Sequence, residues 1–247
     1  MSELADSIRE RYLRALERIE IAAKSAGRPP RSVQLVVVTK SQPVEVAQAA
    51  IEAGAQVLGE NYPEEGVMKL QSLRGDSTVE WHMIGHVQSR KAQLVAENFD
   101  LLHSLDSLKL ATRLDRFCGA AKRILPVLLE FNLGGEESKS GWPAWDEALW
   151  PALTAEVAAI ADLPNLQVRG LMAMPPLGST AEFSRPYFQK LKRLQGYLWL
   201  HFPDLNFSEL SMGTSADYEV AVQEGATLVR IGTAIVGARN YQTEVTK

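Results

Sequence analysis

A chain of 247 residues with 46% hydrophobic side chains has enough apolar mass for one large barrel or two small domains. Its net charge of −4, without a long basic run, excludes nucleic acid as the main partner, and a single cysteine, Cys118, excludes an intramolecular disulfide and suits a reducing compartment. No stretch reaches the roughly 18 apolar residues of a membrane span, and acids run through residues 1–30, so a soluble, unexported, cytoplasmic protein is expected.

Leu4, Ile8, Tyr12, Leu16, Ile19 and Ala23 recur at three- and four-residue steps among Glu and Arg. That spacing predicts one amphipathic helix over 3–25, stopped by Gly27 and Pro29-Pro30, so residues 1–30 supply an extra helix that packs on the rest of the chain. Strand-like and helix-like runs then alternate. Strand 34–39 leads to helix 43–53, 56–59 to a helix from about 62, 79–84 to 88–97, and 100–104 to 106–119. In the second half, 124–131 leads to a helix from about 143 to 161, 166–171 to 180–201 and 206–210 to 214–224, and strand 228–231 ends the series. Eight such strands with short connections predict an α/β chain forming a single (β/α)8 barrel of the TIM type over 1–247, with a doubly wound sheet as the alternative. The 133–142 segment, with Gly134-Gly135 and Gly141, reads as a mobile loop.

In parallel α/β folds ligands gather at the carboxyl ends of the strands. Leu35-Val36-Val37-Val38-Thr39 runs directly into Lys40 at such an end. Against apolar walls a lysine loses hydration and its neutral amine becomes a nucleophile toward a carbonyl; in solvent it stays an ammonium on a packed stem. Ser211-Met212-Gly213-Thr214-Ser215-Ala216-Asp217 places a glycine and three hydroxyls where a helix is predicted to open, with Thr214 and Asp217 spaced as a capping box. This turn either caps a helix or holds a phosphate, and Gly232-Thr233 after the last strand pairs with it as barrels' phosphate loops do. Arg230 interrupts the apolar run Leu228-Val229-Arg230-Ile231 and requires a carboxylate, a ligand or the rim. A ligand with a carbonyl, a phosphate and a ring nitrogen satisfies all three features, and pyridoxal phosphate is one. His82 and His86 lie on a strand and turn, which disfavours zinc ligation on a helix face, and His103 and Ser104 form no recognisable triad.

The chain resembles the YggS/PROSC family of pyridoxal phosphate homeostasis proteins over nearly its whole length. The likeness lies in Val37-Val38-Thr39-Lys40, Leu58-Gly59-Glu60-Asn61-Tyr62, Trp81-His82-Met83-Ile84-Gly85, Asn132 with 136–141, Gly170-Leu171-Met172, Leu210-Ser211-Met212-Gly213 and Val229-Arg230-Ile231-Gly232. The resemblance implies a barrel similar to that of alanine racemase, with pyridoxal phosphate joined to Lys40 as a Schiff base. It also implies a phosphate held by Ser211, Gly232 and Thr233, with Arg230 near the pyridine nitrogen. Asn61, Met212 and Gly213 join the expected cofactor-binding set, and Lys139 matches a family lysine with a secondary role in handling the cofactor. Gln42, His86 and Thr214 depart from residues frequent in the family, and Gln42 removes a second lysine.

No catalytic residue is assigned. Racemase-type relatives add a β-rich domain with a tyrosine acid/base, whereas only sixteen residues, enough for one short helix, follow Ile231. Arginine beside the ring nitrogen leaves that nitrogen unprotonated and the ring a poorer electron sink. Storage and delivery of pyridoxal phosphate, to apo-enzymes as recipients and from a monomer, is therefore expected over catalysis. The alternatives are a slow amino-acid racemase and, more remotely, a sugar-phosphate enzyme using Lys40.

Overall fold

The structure, a computed structural model, describes residues 2–73 and 79–238. Its strands are β1 Gln34–Val38, β2 Val57–Glu60, β3 Glu80–Met83, β4 Leu101–Leu105, β5 Leu125–Asn132, β6 Trp142–Pro143, β7 Leu166–Ala173, β8 Glu209–Thr214 and β9 Leu228–Ile231. Between and around them lie α1 Glu3–Ser25, α2 Val44–Glu52, α3 Pro63–Ser72, α4 Ala92–Asn98, α5 Leu108–Ala120, α6 Trp150–Ala161, α7 Arg185–His201, α8 Tyr218–Gln223 and α9 Thr233–Val236. All pairings are parallel. β1 sits between β2 and β9 while β4 pairs with β5, so eight strands close into a barrel without a free edge and the two-residue β6 hangs on β5. Closure rules out the doubly wound alternative.

Alternation along the strands separates two cores. Val36, Val57, Leu101, Leu128, Met172 and Leu228 point inward and pack on one another, whereas Leu35, Val37, Leu58, Leu102, Leu210 and Val229 point outward to the helices. The same parity decides which later residues face the interior. Two steps beyond Val38 comes Lys40, and two steps beyond Leu228 comes Arg230.

α1 starts on Ser2, whose hydroxyl accepts from the Ala5 N–H (3.2 Å), and ends before Gly27 at φ +68°. It buries Ala5, Ile8, Tyr12, Ile19 and Ala23 against the barrel's outer layer, but Leu4, expected on that stripe, is 40% exposed. Cys118 is a buried apolar group in α5, its thiol pushed up to about 11 by burial. Among the described residues no helix is long and apolar enough to cross a membrane.

Three elements depart from expectation. The helix expected from 143 begins at Trp150, because Trp142 and Pro143 pair with Phe131 and Asn132 and the Ala144 N–H donates to the Asn132 carbonyl (3.0 Å). Pro151 then occupies the first helical turn, where its missing N–H is not needed. The strand expected at 206–210 lies at 209–214 instead. Asn206 Oδ1 accepts from the Ser208 N–H (2.8 Å) and holds 206–208 in a turn. Gly170 fixes the register, since a side chain there would meet the Glu209 carbonyl. The helix expected from 214 consequently starts at Tyr218. The Thr214 N–H and Oγ1 both donate to Asp217 Oδ1 (2.7 and 3.2 Å), so this pair closes a turn after β8 and does not open a helix at Thr214. α9 supplies a short helix after the last strand, and 239–247 lie outside the described residues.

Candidate functional site

A cavity of about 680 Å³ opens at the carboxyl ends of the strands, with Lys40 on its wall. Behind Lys40 the backbone is anchored by a buried polar cluster. Thr39 Oγ1 donates to Glu60 Oε1 (2.6 Å), and Lys69 Nζ donates to the Thr39 carbonyl (2.7 Å), Glu60 Oε1 (2.8 Å) and Glu65 Oε1 (2.6 Å). The Ser41 N–H donates to the same Glu65 oxygen (2.7 Å), which holds Ser41 at φ +56°. Burial raises the Glu60 carboxyl above its ordinary range, opposed by the Lys69 charge. Both peptide neighbours of Lys40 are thus fixed from the outer layer while its side chain goes inward. The Glu65–Lys69 spacing of four on a helix is the only trace of this cluster in the sequence.

Arg230 is buried on β9, the strand that pairs with β1. Its Nη1 donates to Ser211 Oγ and its Nη2 to the Ala173 carbonyl (3.1 Å) and Met174 Sδ (3.3 Å). Burial brings the guanidinium down to about 10, opposed by the charges of Glu130 and Asp217. Glu130 faces the same cavity from β5 with Oε2 buried and without a hydrogen-bond partner among the described residues. Its carboxyl is pushed up to about 7 by burial, with Asp106 adding and Arg230 opposing.

The three-residue shift of β8 redistributes the expected phosphate loop. Ser211 is fully buried inside the barrel beneath Arg230, Met212 points outward into the helix layer, and Gly213 is an internal packing position at φ +92° where a Cβ would lie 2.5 Å from that of Ala221. None of the three lines the cavity. Thr214, Ser215 and Ala216 do, opposite Gly232 and Thr233, and the Gly232 N–H donates to Ser215 Oγ (3.3 Å). Asn61 also reaches the wall. Gly85 permits this, since a Cβ there would come within 2.4 Å of the Asn61 carbonyl oxygen.

The 133–142 loop is tied down. Asn132 Oδ1 accepts from the Gly134 and Gly135 N–H groups (3.2 and 2.9 Å) and its Nδ2 donates to the Glu136 carbonyl (2.8 Å). Lys139 spans the mouth, donating to the Pro175 carbonyl (2.8 Å) and the Met174 carbonyl (3.3 Å) and pairing with Glu136 (2.6 Å). His86 sits at the rim on Asp106 (2.9 Å), apart from His82, which lies inside the barrel. Sequence reasoning brought Lys40, Asn61, Arg230, Gly232, Thr233 and Lys139 to this cavity. It passed over Glu130 and assigned Ser215 no separate role.

This closed parallel barrel, with a lysine at the carboxyl end of its first strand, matches by sequence the family of the alanine racemase N-terminal domain. The chain belongs to that family, which matches residues 14–240. It is 42% identical over 242 residues to a pyridoxal phosphate homeostasis protein of Vibrio alginolyticus, covering 95% of this chain and 99% of that one. Among solved structures, an unknown protein from Bifidobacterium adolescentis has a TM-score of 0.84 at 32% identity, covering 95% of this chain and 97% of its own. PipY of Synechococcus elongatus PCC7942, solved with PLP bound, has a TM-score of 0.79 at 36% identity, covering 93% of this chain and 100% of its own. An alanine racemase of Clostridium difficile 630 shares the fold alone, at 15% identity and a TM-score of 0.69.

Proposed function

We propose that this chain binds pyridoxal phosphate at the barrel mouth and holds it for delivery, as part of intracellular homeostasis of the cofactor. The observation that carries this reading is the inward placement of Lys40 on a rigid platform, in a cavity whose adjoining wall carries Arg230 and the Ser215–Gly232–Thr233 cluster. When bound, the cofactor supplies an aldehyde that a neutral amine can hold covalently and release again. The residues present fit such a group, since a buried cation, a nucleophilic amine and a cluster of hydroxyl and N–H groups face one space.

In this reading Lys40 provides the amine and Arg230 faces the ring nitrogen. Ser215, Gly232 and Thr233 take the phosphate, a role that passes to Ser215 because the Ser211 hydroxyl is committed beneath Arg230. Asn61 contributes to the wall, whereas Met212 and Gly213 support it from outside. The names of relatives around 40% identical and the PLP-bound PipY support the reading. Apo-enzymes as recipients, a monomeric state and a cytoplasmic location belong to the same proposal.

Glu130 favours a second reading, a slow pyridoxal-phosphate-dependent activity on amino acids, because a carboxyl poised near neutrality in the cavity has the properties of a proton-transfer group. One preparation separates the two. Borohydride reduction of the loaded protein is expected to label Lys40, and Lys40→Ala to lose the label while staying folded. Reactivation of an apo-enzyme without racemisation of alanine or serine is the expected companion result. Comparable labelling at another lysine would refute the site, and robust racemisation would favour the second reading.

A further inference from the structure

At one level of the barrel, inward side chains from four strands are polar: His82 from β3, His103 from β4, Ser211 from β8 and Arg230 from β9, all buried. They touch in series. Arg230 Nη1 meets Ser211 Oγ, which lies 2.8 Å from His103 Nδ1; His103 Nε2 lies 3.0 Å from His82 Nδ1, and His82 Nε2 lies 3.3 Å from Glu80 Oε2. Because β3 and β4 stand across the ring from β8 and β9, the series crosses the whole interior. One end is the mouth cavity. The other is Glu80, 56% exposed at the amino end of β3, on a second cavity of about 250 Å³ that His82, Asp100, Arg169 and Glu209 also line.

The direction of every bond follows from one fixed donor and from the requirement that each buried hydrogen finds an acceptor. A guanidinium can only donate, so Ser211 Oγ accepts from Arg230, and among the described residues His103 Nδ1 is the acceptor in reach of the one hydroxyl hydrogen, which goes unused unless it is given there. His103 Nδ1 is therefore bare and its hydrogen sits on Nε2, facing His82 Nδ1. By the same step His82 carries its hydrogen on Nε2 and donates it to Glu80. Two further facts agree with this assignment. Burial, with the Arg230 charge adding, keeps His103 well below the ordinary imidazole range and hence neutral. The bond from His82 holds the Glu80 carboxyl below its ordinary range, against some burial and with Arg169 contributing.

We propose that Glu80, His82 and His103 are positioning residues for Arg230. Their directed chain turns the Ser211 hydroxyl so that its oxygen faces the guanidinium, which makes the seat of Arg230 depend on a carboxylate at the opposite end of the barrel. Without Glu80 as terminal acceptor, His82 has no reason to keep its hydrogen on Nε2. Either histidine can then present Nδ1–H to its neighbour, and Ser211 Oγ must serve two donors. The consequence for a ligand rests on pyridoxal phosphate binding at the mouth; the chain of hydrogen bonds itself does not.

The test is nitrogen-15 NMR of the ligand-free protein labelled in its four histidines, run at neutral pH. His82 and His103 are both expected as Nε2–H tautomers with bare Nδ1. Glu80→Ala, at an exposed position, should stay folded and populate Nδ1–H at His82 and His103, while Glu80→Gln, which keeps an acceptor, should largely restore the original signals. In loaded protein Glu80→Ala should weaken pyridoxal phosphate roughly 2–10-fold, the worth of one neutral hydrogen bond. An Nδ1–H His103 in the unmodified protein would overturn the proposal. So would Glu80→Ala leaving both histidine spectra and the affinity unchanged. The expected tautomers in a protein that bound no pyridoxal phosphate would support the chain and count against the proposed function.

Discussion

Substitution of Glu130 by glutamine isolates one titration from all the others. Below about pH 4.5 the carboxyl is protonated both in the folded chain, where it titrates near 7, and in the unfolded chain, where it titrates near 4.5, so it adds no pH dependence there. As pH rises, the unfolded chain releases the proton first, and the stability associated with this group is lost progressively until the folded carboxyl has also ionised above pH 7. The interval between 4.5 and about 7 corresponds to at most about 3 kcal/mol at 1.36 kcal/mol per pH unit. Glutamine keeps the shape and removes the titration. The stability difference between Glu130→Gln and the unmodified protein, both ligand-free, should grow from near zero at pH 4.5 to at most about 3 kcal/mol at pH 8. For a chain of this size each kcal/mol is worth about 2–4 °C in Tm. His103, kept neutral by burial, loses stability in the other direction as pH falls below the imidazole range, but this is common to both proteins and cancels. Urea denaturation at several pH values provides the comparison. Parallel curves for the two proteins would refute the assignment of Glu130 as an uncompensated buried acid.

Three other outcomes are expected. Lys69→Met should cost about 3–5 kcal/mol, because Glu60 is left as a buried carboxylate without its cation, and should slow labelling of Lys40 by displacing Thr39; denaturation and labelling rates measure the two effects, and unchanged stability would contradict the account. Ser215→Ala should weaken pyridoxal phosphate roughly 2–10-fold while leaving pyridoxal unaffected, so equal losses for both ligands would remove the phosphate role. Lys139→Ala should leave the resting absorption spectrum intact and alter the rate of transfer to an apo-enzyme, since it cuts the link between the loop after β5 and the Met174–Pro175 carbonyls; identical transfer rates would dismiss it.

The barrel was legible because apolar-rich strand runs alternate with helical patterns across short connections, and because Lys40 and Arg230 are charges that such runs cannot ignore. Glu130 carries the same signal within Leu128-Leu129-Glu130-Phe131, so its role was readable by the rule applied to Arg230. Ser211 was misplaced for a local reason. The turn at Asn206 takes up residues whose composition suits a strand, and a shift of three residues moves a hydroxyl from rim to interior. The histidine series was beyond any local reading. His82 and His103 look like weak candidates for zinc or a triad until strand parity turns both inward, and Ser211, their link to Arg230, is 108 residues beyond His103.

Closure of the ring between β1 and β9 has a consequence for synthesis. Gln34 through Val37 pair with Leu228 through Ile231, and Arg28 reaches the carbonyls of Val222 and Ala226, 194 and 198 residues further along. At ribosomal rates of about 5–20 residues per second, roughly 10–40 s separate the emergence of the two sides of this seam. Through that interval β1 offers a bare, valine-rich edge that only the last strand can cover. A nascent chain arrested before residue 228 should therefore recruit holding chaperones or aggregate, while release of a few more residues allows the ring to close.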